Sequence, residues 1–221
     1  SIERQGKQWR VTSPSGSVTA EKVVLTTNAY STDLWPGLKQ TFLPMISIAI
    51  ATEPLSKELQ EVILPGKVTI ADSRLAIYFS RYDRDGRLIF GCVGSADAVG
   101  MLGGHKRLRE GLHTVFPQLK NTKIERTWSG RIAVTPEMMP HLHEPAPGII
   151  AGLGFSGRGI AMTSVMGRTI TDKILGASDD QLAFPVSPIK KIPMHKVMAA
   201  TLPFGAPAMS IRDKISTIID I

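Results

Sequence analysis

With 221 residues, 43% of them apolar, the chain can bury one large core or two small ones. A single cysteine excludes an internal disulfide framework and suits a reducing compartment, which points to the cytoplasm. The formal charge is +7, but Lys and Arg are scattered, no apolar run reaches the about 18 residues of a membrane span, and no leader pattern opens the chain, so nucleic-acid and membrane roles are not indicated.

Trp9–Thr12, a Ser13-Pro-Ser-Gly16 turn and Ser17–Thr19 predict a hairpin. Lys22–Thr27 reads as a buried, parallel-type strand, because its apolar residues run on without alternating, yet no upstream segment offers a neighbour. A helical turn is expected over Thr32–Leu38. Leu43–Thr52, the longest apolar run, is expected as a strand with Ile46, Ile48 and Ile50 on a core. A short helix over Lys57–Ile63 follows. Leu75–Arg81 and Arg87–Val93 flank Asp85-Gly86, a hairpin signal. Leu102–Phe116 carries a helical pattern, in which the basic cluster His105–Arg109 reads as a solvated face. Lys123–Thr135 is another strand, Pro136–Pro147 a proline-punctuated loop, and the proline-rich end from Phe184 a wrapping or poorly ordered tail.

The most informative stretch runs from Pro147 to Gly176. Ile149–Ala151 is a short apolar strand, followed by Gly152, Gly154, Gly157 and Gly159. Next comes a helical pattern carrying Ile160, Met162, Val165, Met166, Ile170 and Ile174, and Gly176 sits at the stop position. These apolar residues spread around much of the cylinder, which predicts a largely buried helix. Glycines 152, 154 and 157 match G-x-G-x-x-G, but no second strand with an acidic residue follows, so a complete dinucleotide phosphate site is not expected. Two readings remain open from spacing alone. The turn either presents free backbone N–H groups and a positive helix end to an electron-rich group, or only lets a helix pack on a sheet. Other chemistry is weaker. His141 and His143 lie two apart beside Glu144 without a further ligand set, so no metal is expected, and Ser156 misses the G-x-S-x-G spacing of a hydrolase by one residue.

Two segments carry a resemblance. Trp128-Ser-Gly-x-x-x-x-Thr-Pro-Glu-x-x-Pro-His-Leu142, followed by Gly148-Ile-Ile-Ala-Gly-Leu-Gly-Phe-Ser-Gly-Arg-Gly-Ile-Ala161, resembles the C-terminal half of FAD-dependent oxidoreductases of the D-amino-acid-oxidase superfamily, in particular the γ-glutamylputrescine-oxidase-like amine oxidases. Val23–Tyr30 is similar to the segment that completes the family's FAD domain, and Ile189–His195 to the family's ending. The resemblance implies an α/β fold of α+β character: an incomplete FAD-binding domain lacking its N-terminal Rossmann βαβ, plus an antiparallel-sheet substrate domain with helices. Its implied boundaries are 1–41 and 129–183 for the FAD-binding part, 42–128 for the substrate sheet, and 184–221 for the tail.

It also implies that Thr26, Thr27, Asn28 and Ala29 lie against FAD, and that Gly154, Phe155, Ser156, Gly157, Arg158, Gly159, Ile160 and Ala161 bring N–H groups to the flavin's pyrimidine edge. Tyr78, Phe155 and Arg158 would face substrate. Two departures matter. Amino-acid-oxidising relatives carry an Arg one place later than Arg131. On a strand one place turns the side chain to the opposite face, so a carboxylate anchor is lost and an amine substrate is favoured. No Cys follows this strand, so the flavin would be non-covalent. The implied function is amine or amino-acid oxidation by hydride transfer to FAD, giving an imine that hydrolyses. The implied partner is an N-terminal FAD-binding half, without which this chain would hold FAD weakly or not at all. A homo-oligomer is also possible on this reading. A different class stays open: a truncated or split non-catalytic module that binds a partner chain.

Overall fold

The computed structural model describes residues 1–74, 77–94, 104–202 and Arg212. In chain order the strands and helices are β1 (Ile2–Gln5), β2 (Gln8–Ser13), β3 (Gly16–Ala20), β4 (Val23–Leu25), β5 (Leu43–Pro54), α1 (Lys57–Val62), β6 (Ile70–Ala71), β7 (Tyr78–Tyr82), β8 (Arg87–Gly94), α2 (Gly104–Val115), β9 (Ile124–Val134), β10 (His141–Ala146), β11 (Ile149–Leu153) and α3 (Gly159–Ile174). The chain forms two compact units. The first comprises Ser1–Pro44 and Arg131–Ala199, and the second is built on Met45–Gly130.

The first unit holds two three-stranded sheets, ordered β1-β2-β3 and β10-β11-β4. The expected hairpin is β2–β3, with Ser13 opposite Gly16; β1 extends it and was not expected. Trp9 anchors this sheet: its indole Nε1 donates to the Pro147 carbonyl at 3.1 Å, and the Arg4 guanidinium sits 4.9 Å from its ring centroid. The strand expected to lack a neighbour finds one downstream, since β4 runs parallel to β11 with Val24 opposite Ile150. It is only three residues long, and Val24 is exposed, so the expectation of a buried strand is corrected. β4 is an edge of its sheet, and one of its flanks pairs with no strand among the described residues.

The loop expected over Pro136–Pro147 contains a strand. β10 pairs antiparallel with β11 from His141↔Leu153 to Ala146↔Ile149, with an irregularity between His143 and Ala146 that absorbs Pro145. The tail wraps as expected as far as it is described. Val186 bridges in parallel to Leu142, and Phe184 and Ile192 are buried. Residues 203–211 and 213–221 of the tail lie outside the described residues. The helical turn expected over Thr32–Leu38 forms instead as two short 3₁₀ turns on either side, Asn28–Tyr30 and Leu38–Gln40, because Pro36-Gly37 interrupts the segment and Gly37 takes φ +81°.

The second unit is one five-stranded sheet, ordered β6-β7-β8-β5-β9, with β5 and β9 carrying the chain in and out. Asp85-Gly86 does close the β7–β8 hairpin. Gly86 has φ +81°, and the Asp83 carboxylate accepts from the N–H groups of Asp85 and Arg87, both at 2.9 Å. One face of the sheet makes a core of Ile48, Ile50, Tyr82, Leu88, Phe90 and Cys92 under Leu108 and Leu112 of α2. β7 begins later than expected, and Leu75 and Ala76 of the expected strand, like Leu102 and Gly103 of the expected helix, lie outside the described residues.

Candidate cofactor-binding site

The glycine-rich turn joins β11 to α3, and its glycines do different things. At Gly152 a Cβ would come within 2.7 Å of Met166 Cγ and 3.0 Å of Ile170 Cδ1, so this glycine lets α3 lie close on β11. Gly154 has φ +83°, and a Cβ there would meet Thr135 Cγ2 at 2.5 Å. Both serve packing and turning. Gly157 is different: φ is +86°, yet nothing lies within 4 Å of where its Cβ would be. Glycine here is set by the backbone conformation and leaves open space beside the turn.

The turn is tied down from behind. Asn28 takes φ +44°, and its Oδ1 accepts from the N–H of Gly154 at 3.0 Å, joining the segment after β4 to the turn. Ser156, also left-handed with φ +50°, is buried. Its N–H donates to Ala133 O at 2.9 Å, and its Oγ accepts from the N–H of Thr135 at 3.2 Å. Arg158 donates through Nη2 to the Met138 carbonyl, latching the turn to the 136–139 loop. In front, the N–H groups of Gly157, Gly159, Ile160 and Ala161 have no acceptor among the described residues. They stand at the positive end of a 16-residue helix.

The sequence-derived site residues therefore sort by exposure. Thr26, Thr27, Gly157, Arg158, Ile160 and Ala161 are exposed and Gly159 is half-buried, whereas Ala29, Gly154, Phe155 and Ser156 are buried. Ala29 and Phe155 belong to hydrophobic cores, Phe155 with Leu142, Ile150 and Met166. Thr27 Oγ1 pairs with Ser31 Oγ at 2.7 Å. The Arg131 guanidinium lies 5.9 Å from the Tyr30 ring centroid, and the Arg131 N–H donates to the Tyr30 hydroxyl at 3.2 Å. The helix itself corrects an expectation. α3 buries Met166, Thr169 and Ile170, but Ile160 is 96% exposed and Val165 42%. One face packs on β11, and the apolar residues off that face are left bare by the described residues.

Tyr78 lies in the second unit and faces the α2-covered core. Its ring stacks 5.0 Å from Phe90, and its hydroxyl stands where a Cβ on Gly111 would be. Burial pushes the Tyr78 phenol up, with the nearby Arg107 guanidinium opposing this. That packing gives Tyr78 a core role. Its neighbour Phe79 occupies the opposite face, its ring lying flat over Gly91, where a Cβ would come within 2.1 Å. Strand alternation could have separated the two.

The chain matches the family described as FAD dependent oxidoreductase over residues 1–173. It belongs to that family. It is 34% identical over 180 residues to the probable oxidoreductase OrdL of Haemophilus influenzae, covering 78% of this chain and 40% of that protein. It is 29% identical over 212 residues to γ-glutamylputrescine oxidoreductase of Escherichia coli, covering 93% and 49%. Among solved structures it resembles glycine oxidase from Geobacillus kaustophilus, with TM-score 0.66 and 19% identity over 87% of this chain and 50% of that one. It also resembles L-proline dehydrogenase from P. horikoshii, with TM-score 0.64 and 21% identity over 84% and 50%. The chain thus spans about half the length of the curated relatives it matches, and its fold is the mixed α/β fold of these flavoenzymes with about half of their length present. FAD is the family's cofactor, and the residues present fit one edge of it. The open N–H groups at the start of α3 and the free space beside Gly157 suit an electron-rich ring edge.

Proposed function

We propose that the whole protein of which this chain forms about half oxidises an amine of the γ-glutamylputrescine type, or an amino acid, with FAD. FAD would supply the hydride acceptor: the carbon beside nitrogen loses hydride, the nitrogen loses a proton, and the imine adds water and releases a carbonyl compound and ammonia, or an amine where the nitrogen carries a second carbon. The chain's own contribution is positional and electrostatic. Gly157, Gly159, Ile160 and Ala161 offer N–H donors where reduced flavin gathers negative charge, and the α3 dipole favours that charge. Asn28 and Ser156 hold those donors in place from behind. The observation that carries the reading is this row of unused donors beside open space in a chain of the FAD-dependent family. Arg131 supports the amine class, since it turns to Tyr30 rather than standing where amino-acid-oxidising relatives place a carboxylate anchor.

The test is optical. In protein that also carries the N-terminal half found in the relatives, oxidised-flavin bands should appear on purification, and Gly157→Val should remove them, because a β-branched residue at φ +86° displaces the turn and fills the space. Unchanged flavin content in that variant would refute the role given to the turn. This chain alone should be colourless. A second reading, a module that acts by binding a partner chain, draws on the unpaired edge of β4 and the bare Ile160. It predicts a stable complex with an N-terminal half that contains no flavin.

A further inference from the structure

Two imidazoles on β10 each keep a lone pair that no group among the described residues uses. His141 and His143 are two apart, so they leave the same face of the strand, and their ring centroids are 5.3 Å apart at 74°. His143 Nδ1 lies 2.7 Å from the Ser187 carbonyl oxygen. A carbonyl only accepts, so Nδ1 carries the hydrogen and Nε2 of the neutral ring is bare. His141 Nε2 faces the Glu137 carboxylate, so by the same argument it carries the hydrogen and Nδ1 is bare. His141 Nδ1 and His143 Nε2 are both buried with no hydrogen-bond partner, and His143 is only 1% exposed. A buried acceptor left unpaired is destabilising, and here two occur on adjacent rings.

The outer partners have a meaning of their own. Metal-bound histidines characteristically donate their second N–H to a carboxylate or a backbone carbonyl, and this pair has one of each. Two imidazoles bound to one ion at about 2.0–2.1 Å and a tetrahedral angle have ring centroids on the order of 5 Å apart, which the observed spacing matches. We propose that His141 Nδ1 and His143 Nε2 together ligate one divalent transition-metal ion, with Glu137 and Ser187 orienting the rings. No cluster of three or more His, Cys, Asp or Glu residues suited to a metal exists among the described residues, so the remaining positions belong to water. A cavity of about 600 Å³ lined by Thr41, Glu137, Met139, His141 and Ser187 lies beside one of the two histidines. A two-imidazole set prefers Cu²⁺ over Zn²⁺. Because Ser187 is the outer partner of one ligand, the ion would also fasten the tail to β10. The pair stood out in the sequence, but its outer partners did not, one lying four residues before and the other 44 residues after the histidine it orients.

The experiment uses the purified chain, stripped with a chelator and titrated with Cu²⁺ and, separately, Zn²⁺. The expected result is one ion per chain, an electron paramagnetic resonance pattern of two ligating nitrogens for Cu²⁺, and a Tm that rises with Zn²⁺ concentration. His141→Gln should abolish the two-nitrogen signal. His143→Gln should do the same, with circular dichroism checking that the chain still folds. Glu137→Gln, which leaves both rings intact, should weaken affinity about 10–100-fold. His113→Gln should change nothing. Absence of binding by the wild-type chain at micromolar ion, a one-nitrogen signature, or binding unaltered by His141→Gln would each overturn the proposal.

Discussion

At the scale of single residues, the turn before α3 depends on side chains whose role the sequence concealed. Asn28, expected to lie against the cofactor, has its amide oxygen accept from the Gly154 N–H. Asn28→Ala removes the acceptor from a buried donor and places alanine at φ +44°, a conformation that Asn tolerates better. The expected loss is about 1–3 kcal/mol in urea denaturation, while Asn28→Asp, which keeps an acceptor oxygen, should lose less than half as much. Equal losses in the two variants would remove the hydrogen bond from the account. Ser156 shows the same division: it is buried and left-handed, with its hydroxyl engaged by Thr135. The turn before α3 was legible because glycine spacing reports backbone freedom, while spacing alone left open what the turn serves. Which of its members face outward was not legible, since Phe155 is buried by Leu142, Ile150 and Met166 and Ser156 by its bonds to Ala133 and Thr135, partners distant in sequence.

At the scale of elements, most of the fold could be read. Alternation marked β5, Asp85-Gly86 marked the β7–β8 hairpin, and the switch from an apolar run through glycines to a helical period marked β11 and α3. β10 was missed because Pro136, Pro140, Pro145 and Pro147 punctuate it. Two of these flank the strand and Pro145 sits at its irregularity, where no ladder hydrogen bond is needed. α3 was expected buried because apolar count was taken for contact; the partner surface for Ile160 and Val165 is not among the described residues. The helix–strand contact that does form hinges on Gly152. Gly152→Val should destabilise by about 1–3 kcal/mol through overpacking against Met166 and Ile170. Adding Met166→Ala should recover part of that loss, since it vacates the space the new side chain needs, and non-additivity in the double variant is the measurement that checks it. Strict additivity would mean the two residues do not meet.

At the scale of the whole molecule, the two units differ in how they meet alkali. Tyr78, Tyr82 and Cys92 all belong to the second unit, and burial pushes the pKa of each one up. These acids are held neutral when folded. Their contribution to stability is complete below their unfolded pKa values, about 8.5 for a thiol and 10 for a phenol, and is lost as pH climbs toward the folded values. The second unit should therefore weaken above about pH 9, in the same range where its phenols begin to ionise on unfolding. Tyr82 adds to this, because its hydroxyl donates to the Ile63 carbonyl at 2.8 Å, and that bond requires the proton. Cys92 is the only cysteine in the chain and is fully buried, so a thiol reagent reads this unit alone. At pH 8 the reaction should be slow and limited by opening of the sheet; near pH 10 it should accelerate far more than thiolate ionisation of a free cysteine allows. Tyr82→Phe, with no proton to lose, should flatten that acceleration even if it lowers stability at neutral pH by leaving the Ile63 carbonyl unpaired. A reaction at pH 8 as fast as that of a free thiol would show that the core around Cys92 is open, and an unchanged pH profile in Tyr82→Phe would show that Tyr82 does not supply the alkaline transition.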